Sequence, residues 1–314
     1  MKKYYFLLFL SLQFFLFFSC RRPDITPAYL IFSAEDFKDC IENDRKKFNE
    51  VHGTDFTDTE FEIIRKHNFR DVFVNINGVD LGYWQLPCTI PLKPDYSKKN
   101  LIRVFPCVRL INNTLTTTQY NLVKPFYEFV ELERETEYYF SDFVSDFKFK
   151  FEYVDSVKFP VFETFEQGTR FASIDTIFGA PIEIFHRDDG KSVGRIVLKD
   201  TLNYFKIATD YFKLKAYHRK QFWEITYRCD EDITTFLHFQ KSSGNITQDM
   251  IGFYATKEVT KIAYIDITEI VRQVAGTDEY VSVRLGISGI RNSDTKTVIF
   301  DIENVKLIDM YAPY

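Results

Sequence analysis

Residues 72–82 read Val72-Phe73-Val74-Asn75-Ile76-Asn77-Gly78-Val79-Asp80-Leu81-Gly82. An Asn-Gly pair between alternating runs of β-branched and aromatic residues is the strongest short-range signal for a β-hairpin. The period of two continues downstream in Leu101-Ile102-Arg103-Val104-Phe105, in Phe126-Tyr127-Glu128-Phe129-Val130-Glu131-Leu132 and in Phe147-Lys148-Phe149-Lys150-Phe151-Glu152-Tyr153. Successive side chains of a strand point to opposite faces, so this alternation predicts half-buried sheet. Upstream the pattern is different. Ser33-Ala34-Glu35-Asp36 places a hydroxyl three residues before an acid, with Phe37, Cys40, Ile41 and Phe48 following at partly helical spacing, which predicts one or two short helices, or else a charged excursion, before about His67.

These strands predict a small N-terminal sandwich of roughly the immunoglobulin type over residues 33–158. Pro160 and the acidic Phe162-Glu163-Thr164-Phe165-Glu166-Gln167-Gly168 mark a restart, and residues 159–314 carry eight further strand-like runs: 182–185, 194–198, 212–214, 222–227, 235–239, 261–266, 281–285 and 298–302. So many strands in one unit predict a larger jelly roll, and the fold class is all-β. Only Thr268 to Val274 reads as a helical turn, with Thr268 as its cap. In the closing run Val298, Phe300 and Ile302 share a parity that Val305 and Leu307 do not, so a bulge near Glu303-Asn304 is needed to keep one buried face.

The 314 residues are 45% hydrophobic and 27% charged, composition enough for a packed core and unlike that of a disordered chain. The net charge of -5 becomes -7 without a leader carrying Lys2 and Lys3, which argues against a nucleic-acid binder working through a basic surface. None of the five histidines has a partner at metal-ligand spacing, and no phosphate loop, nucleophile elbow or Cys-x-x-Cys occurs. Asp188-Asp189-Gly190-Lys191 reads as a hairpin turn. The expectation is therefore binding and not catalysis.

Residues 1–19 have the order of a secretory signal peptide: Lys2-Lys3, the apolar run Tyr4 to Phe18, then small Ser19 before Cys20. A spanning helix needs about 20 apolar residues, and this run is shorter and interrupted by Ser11 and Gln13. Phe17-Phe18-Ser19-Cys20 resembles the lipobox of bacterial lipoproteins, with Phe17 where that pattern favours Leu. The resemblance implies lipid on Cys20, a tether over residues 20–32 and attachment to the outer membrane, on its periplasmic or its cell-surface side. Export implies an oxidising compartment. Cys88 and Cys107 lie in matched Pro-Cys segments either side of the polar stretch Lys93 to Asn100, which sets up a disulfide, with two buried free thiols as the alternative; Cys40 and Cys229 read as lone core residues.

Two further stretches carry resemblances. Asn77 to Gly82, followed by Leu86-Pro87 and Ile90-Pro91-Leu92, is similar to an uncharacterised group of Bacteroidetes-type lipoproteins. The C-terminal half is similar to galactose-binding-like jelly rolls and carbohydrate-binding modules: Phe165-Glu166-Gln167-Gly168 matches their opening, and Glu303-Asn304-Val305-Lys306-Leu307 their closing strand, with Glu303 in place of Asp. That resemblance implies a structural Ca2+, for which Glu163, Glu166, Asp301 and Glu303 are the carboxylates at hand. Glycan binding needs a flat exposed aromatic beside planar polar groups, and the candidates are Trp223, Tyr227, Tyr204, Tyr211 and Tyr217, with His218, Arg219 and Asp210 nearby. Two roles follow as expectations. One is a lipid-anchored glycan-binding protein; the other is a structural or assembly subunit docking another envelope protein, which an apolar patch near Phe126 to Phe129 would favour.

Replacing Cys20 by Ala should abolish incorporation of labelled palmitate. A chain beginning after Cys20 should be soluble without detergent, and its retention by membranes would reveal a second anchor.

Overall fold

The computed structural model describes residues 26–110, 116–143, 151–175, 177–292 and 296–311. Its N-terminal half holds β1 (Ala28–Phe32), β2 (Asp71–Ile76), β3 (Val79–Gln85), β4 (Cys88–Leu92), β5 (Asn100–Leu110), β6 (Thr116–Gln119), β7 (Phe126–Val130) and β8 (Glu137–Tyr139). Its C-terminal half holds β9 (Val157–Glu163), β10 (Phe171–Ser173), β11 (Glu183–His186), β12 (Ser192–Leu198), β13 (Tyr204–Thr209), β14 (Phe212–Lys215), β15 (Arg219–Cys229), β16 (Ile233–Lys241), β17 (Gly244–Phe253), β18 (Lys261–Asp266), β19 (Tyr280–Ile290) and β20 (Val298–Tyr311). The protein is nearly all β, with 53% strand and 11% helix. No helix among the described residues is long and apolar enough to cross a membrane.

The local signals act where expected. Asn77 and Gly78 both take positive φ, 51° and 86°, the pair of left-handed residues that a type I′ hairpin between β2 and β3 requires. Arg187 to Lys191 closes the β11–β12 hairpin, with Gly190 at φ 80°. Between β1 and β2 the chain makes a short 3-10 turn, Glu35–Phe37, where the Ser33 hydroxyl accepts from Asp36 N at 3.2 Å, and then two helices. The first, α1 (Arg45–His52), is capped by Asp44; the second, α2 (Asp58–Arg65), opens on a reciprocal Thr57/Glu60 capping box. A third helix, α3 (Thr268–Ala275), differs from expectation: Thr268 is its first residue and not its cap, because the hydroxyl is taken by Gln221 N at 3.0 Å. Of the predicted run Phe147 to Tyr153, residues 147–150 lie outside the described residues, while Phe151 and Tyr153 form single bridges to Ile41 and Val123.

Three sheets organise the strands. A three-stranded sheet runs β4-β1-β8, and a six-stranded sheet runs β10-β13-β19-β16-β17 with β14 also on β19. An eleven-stranded sheet runs β11-β12-β20-β15-β18-β5-β2-β3, with β9 on β20 and with β6 and β7 on β5. It therefore crosses from one half of the chain to the other, through a parallel bridge between Tyr264 of β18 and Leu110 of β5. There are two cores. One, between the six-stranded sheet and one face of the large sheet, includes Trp223, Ile225, Tyr227, Val283, Leu285, Phe300 and Leu307. The other fills the N-terminal half and also takes in Phe222, Tyr264, Ile308 and Met310 from the opposite face of the same large sheet. The expected boundary between residues 158 and 159 falls inside β9, whose Val157 belongs to one core and Val161 to the other.

The expected bulge is present: Thr226 pairs with Asn304 but Tyr227 with Ile302, so Glu303 is the extra residue. Skipping it returns Val305 and Leu307 to the side of Phe300 and Ile302.

Between the two halves lies a buried polar knot. Glu224 and Lys306 face each other in register on β15 and β20, with Nζ 2.7 Å from Oε2 and both side chains at most 2% exposed. Tyr120, reaching in from the N-terminal half, donates its hydroxyl to the other Glu224 oxygen. His67 sits 3.9 Å from Glu224, and burial together with the Lys306 charge pushes its pKa well below the ordinary value, so the imidazole is neutral there. Burial and the Glu224 charge push the Tyr120, Tyr153 and Tyr264 hydroxyls well above theirs.

Breaking this pair from one side strands a buried charge. Lys306→Met should cost about 3–5 kcal/mol in urea unfolding. Glu224→Leu combined with Lys306→Met should recover much of that loss, and a single-variant loss below about 1 kcal/mol would show that Glu224 is not held as an ion.

Candidate functional site

The position of the sequence-predicted aromatics follows from strand parity. On β15 the odd-numbered residues Trp223, Ile225 and Tyr227 point between the two sheets, leaving Trp223 at 0% and Tyr227 at 3% exposure. Neither can stack on a sugar; both are core. Burial pushes the Tyr227 hydroxyl pKa upward, as expected of a phenol inside a sandwich. Tyr204 and Tyr211, by contrast, are half-exposed on the outer side of the six-stranded sheet. Trp84 packs against the N-terminal core and donates to Leu81 O at 3.0 Å, a packing anchor.

The carboxylates expected around Ca2+ do not gather. Glu163 accepts from Phe165 N at 2.7 Å and from Arg170 N, and so holds the loop in which Phe165 takes φ 61°. Glu166 accepts from Ser192 N and Oγ at 3.2 and 3.1 Å. Asp301 is clamped by Arg195 at 2.7 Å and Arg228 at 2.6 Å, and Glu303 by Arg187 at 2.7 Å with Thr260. Among the described residues no three His, Cys, Asp or Glu are placed to hold a metal ion. The four carboxylates as they stand therefore do not fit a Ca2+ site: guanidinium groups and backbone N–H groups supply the compensation that a cation would give.

The expected Cys88–Cys107 bridge is also absent; both are free thiols. The stretch Lys93 to Asn100 does not fold β4 back on β5: β4 pairs with β1, putting Cys88 opposite Phe32, whereas β5 pairs with β2, putting Cys107 opposite Asp71. Burial and the Asp71 charge push Cys88 up to about 11 and move Cys107 in the same direction. Cys40 and Cys229 are buried, one in each core. Cys20 lies outside the described residues.

The outer face of the six-stranded sheet is where the remaining chemistry converges. Its registers stack polar side chains in rows across strands. Thr247, His238 and Arg284 lie side by side on β17, β16 and β19. Tyr211, in the break between β13 and β14, ends this row, its ring 4.9 Å from the Arg284 guanidinium carbon and 6.0 Å from the His238 ring. The next row holds Phe236, Gly286 and Ala208, and the one after it Thr234, Ser288 and Lys206. Phe236 is only 1% exposed although it lies on the outer side. Its ring lies over Gly286, where a Cβ would collide with it, and the Lys206 ammonium sits 4.7 Å from its centroid. Tyr280, 52% exposed, and Tyr204, whose hydroxyl donates to Asp175, stand at opposite ends of this face.

Several polar atoms in the central row are not saturated. His238 Nδ1 is bonded to Thr247 Oγ1 at 2.8 Å, while its Nε2 and the Arg284 Nε have no partner among the described residues. Burial and then the charges on Arg284 and Lys206 lower the His238 pKa. Both of these nitrogens are buried beneath the surface, so what the face presents outward is the half-exposed Tyr211 and Tyr204 and the exposed Thr247 and Tyr280. The sequence contained these positions as the polar phase of Thr235–Phe239 and Val281–Leu285. It had no signal that Phe236, which shares that phase, is the floor of the face, or that His238 and Arg284 are neighbours.

No family model matches the chain, and no curated protein sequence matches it. Solved structures align with parts of the chain at low TM-scores. A family 61 carbohydrate-binding module in complex with β-1,4-galactotriose is 8% identical over 44% of this chain and 86% of its own, with a TM-score of 0.26. The family 11 module of the cellulosomal cellulase Lic26A-Cel5E of Clostridium thermocellum is 12% identical over 48% of this chain and 92% of its own, with a TM-score of 0.30. The CBM22-1-GH10 modules of xylanase 10B from the same organism, complexed with xylohexaose, are 8% identical with a TM-score of 0.34; the match spans 48% of this chain and 28% of theirs. These structural neighbours include carbohydrate-binding modules of β-sandwich fold.

Gly286→Ala should force the Phe236 ring off the sheet face. The expected cost in chemical unfolding is about 1–3 kcal/mol, accompanied by a changed near-ultraviolet circular dichroism spectrum. An unchanged spectrum and stability would show that the ring does not rest on Gly286.

Proposed function

We propose that this protein is a non-catalytic glycan-binding protein of the cell envelope, anchored to the outer membrane through lipid on Cys20. The observation that carries the glycan reading is the row Thr247–His238–Arg284–Tyr211 on an open sheet face, flanked by Tyr204 and Tyr280. A sugar ring needs a flat apolar surface for its C–H face and planar donors and acceptors for its hydroxyls. Tyrosine and histidine rings beside a guanidinium offer both, and Arg284 is held in place by its stacking on Tyr211. The signal-peptide order of residues 1–19 and the lipobox-like Phe17-Phe18-Ser19-Cys20 support the anchor.

A second reading, docking of another envelope protein, is favoured by a different surface. On the outer face of the N-terminal part of the large sheet, Tyr83, Tyr127 and Phe129 are 49%, 67% and 58% exposed, around the cross-strand row Phe105–Phe73–Tyr83. Exposed aromatics grouped on one sheet face mark an interaction surface.

Affinity electrophoresis against a panel of polysaccharides separates the two. Retardation by at least one polymer is expected, and Tyr211→Ala should weaken it about tenfold, the scale of one lost aromatic contact. Tyr127→Ser with Phe129→Ser should leave retardation unchanged. No retardation by any polymer would favour the docking reading.

A further inference from the structure

The face just described carries three basic side chains in a protein of net negative charge. The chain carries a net charge of -5, yet Lys206, Lys213 and Arg284 all project from the outer side of the six-stranded sheet, opposite Ser288, Ser282 and His238 in register. Some other cations of this half are neutralised: Lys215 pairs with Glu279 at 2.9 Å, and Arg219 with Asp309 at 2.7 Å. Lys206, Lys213 and Arg284 have no ion pair among the described residues, and the carboxylates nearest in register or sequence, Asp249 and Asp210, make none either. Two of the three are instead held over rings, Lys206 over Phe236 and Arg284 over Tyr211. The lowered His238 pKa reports the same positive field, since after burial its causes are the charges on Arg284 and Lys206.

We infer that the ligand of this face is an acidic polysaccharide, one whose sugar units carry carboxylate or sulfate groups. The inference rests on the glycan-binding reading and adds the ligand class. Unpaired cations prepositioned on a sheet are a cost to the folded protein through mutual repulsion, which an anionic chain laid along the rows would relieve. Arg284 is suited to the role, because its planar fork can take a carboxylate or sulfate oxygen pair while its ring-stacked plane stays fixed. Lys206 and Lys213 lie on either side of it, so anionic groups repeated along a polymer can meet successive cations.

The test is affinity electrophoresis of the purified protein in gels containing polygalacturonate, a sulfated galactan, or an unsubstituted galactan. An acidic polymer should retard it about tenfold more strongly than the neutral one. The effect should fall steeply as salt rises to about 0.5 M, where charges are screened within a few ångströms. Which acidic polymer acts distinguishes carboxylate from sulfate. Lys206→Met and Arg284→Met should each weaken retardation about tenfold. Lys213→Met, at an exposed position, serves as the variant least able to disturb folding, and Lys46→Met on α1 is the charge-matched control that should change nothing. Equal retardation by neutral and acidic polymers, with no effect of the lysine variants, would overturn the acidic class and leave glycan binding standing. Failure of every polymer would overturn both. Equal retardation by single-stranded DNA would also overturn the inference, because charge alone would then be read.

Discussion

The architecture depends on one sheet being buried on both faces. In β15 and β20 one set of side chains, Trp223, Ile225, Val305 and Leu307, closes the C-terminal sandwich, and the alternate set, Phe222 and Ile308, closes the N-terminal core. Glu224 and Lys306 belong to that alternate set, which is why a charge pair sits at the join. An isolated buried ion costs several kcal/mol, and even a good pair recovers little net stability. What the pair adds is tied to one register of β15 on β20 and to one placement of Tyr120. Slipping β15 against β20 by one residue would move Glu224 away from Lys306 and turn Trp223 outward, and separating the halves would deprive Glu224 of Tyr120.

Because the central part of the large sheet is covered, the C-terminal sandwich has its open, chemically varied face on the other sheet. The uncovered remainder of the large sheet is closed by its own ion network, with Asp301 between Arg195 and Arg228 and Glu303 beside Arg187. On the six-stranded sheet the small residues Gly286 and Ala208 leave room for the Phe236 ring to lie flat. Tyr211 and Arg284 then stand beside a filled floor. Lys206 and Arg284 there are held over the Phe236 and Tyr211 rings and make no ion pair among the described residues, whereas the charges of the opposite face are paired with one another.

Much of the fold was legible because it rests on interactions close in sequence. The left-handed conformations of Asn77 and Gly78, the turn at Gly190 and the bulge at Glu303 each follow from a few neighbouring residues. The site was legible only in part. Aromatic residues are 18% of the chain, and no local rule separates a ring that faces solvent from one that faces the opposing sheet. Tyr204 and Tyr211 lie on the open face, while Trp223 and Tyr227 sit in the core because the odd phase of β15 is the inner one. The thiols of Cys88 and Cys107, alike in their local sequence, were parted when β4 and β5 chose different partners. Glu163, Glu166, Asp301 and Glu303, close enough in sequence pattern to suggest ligands of one ion, have separate donors instead.

By itself, then, the sequence determined the period-two strands, the turns between them, the bulge in the closing strand and the all-β class, because each is set by side-chain alternation and backbone conformation within a few residues. Only the tertiary structure decided which phase of each strand would be inside, that β9 would serve both cores, and that Thr247, His238, Arg284 and Tyr211 would form one row. Those outcomes depend on pairings between residues tens of positions apart. The free energy that selects them comes from burying whole faces against one another, a quantity that no single stretch of the chain contains.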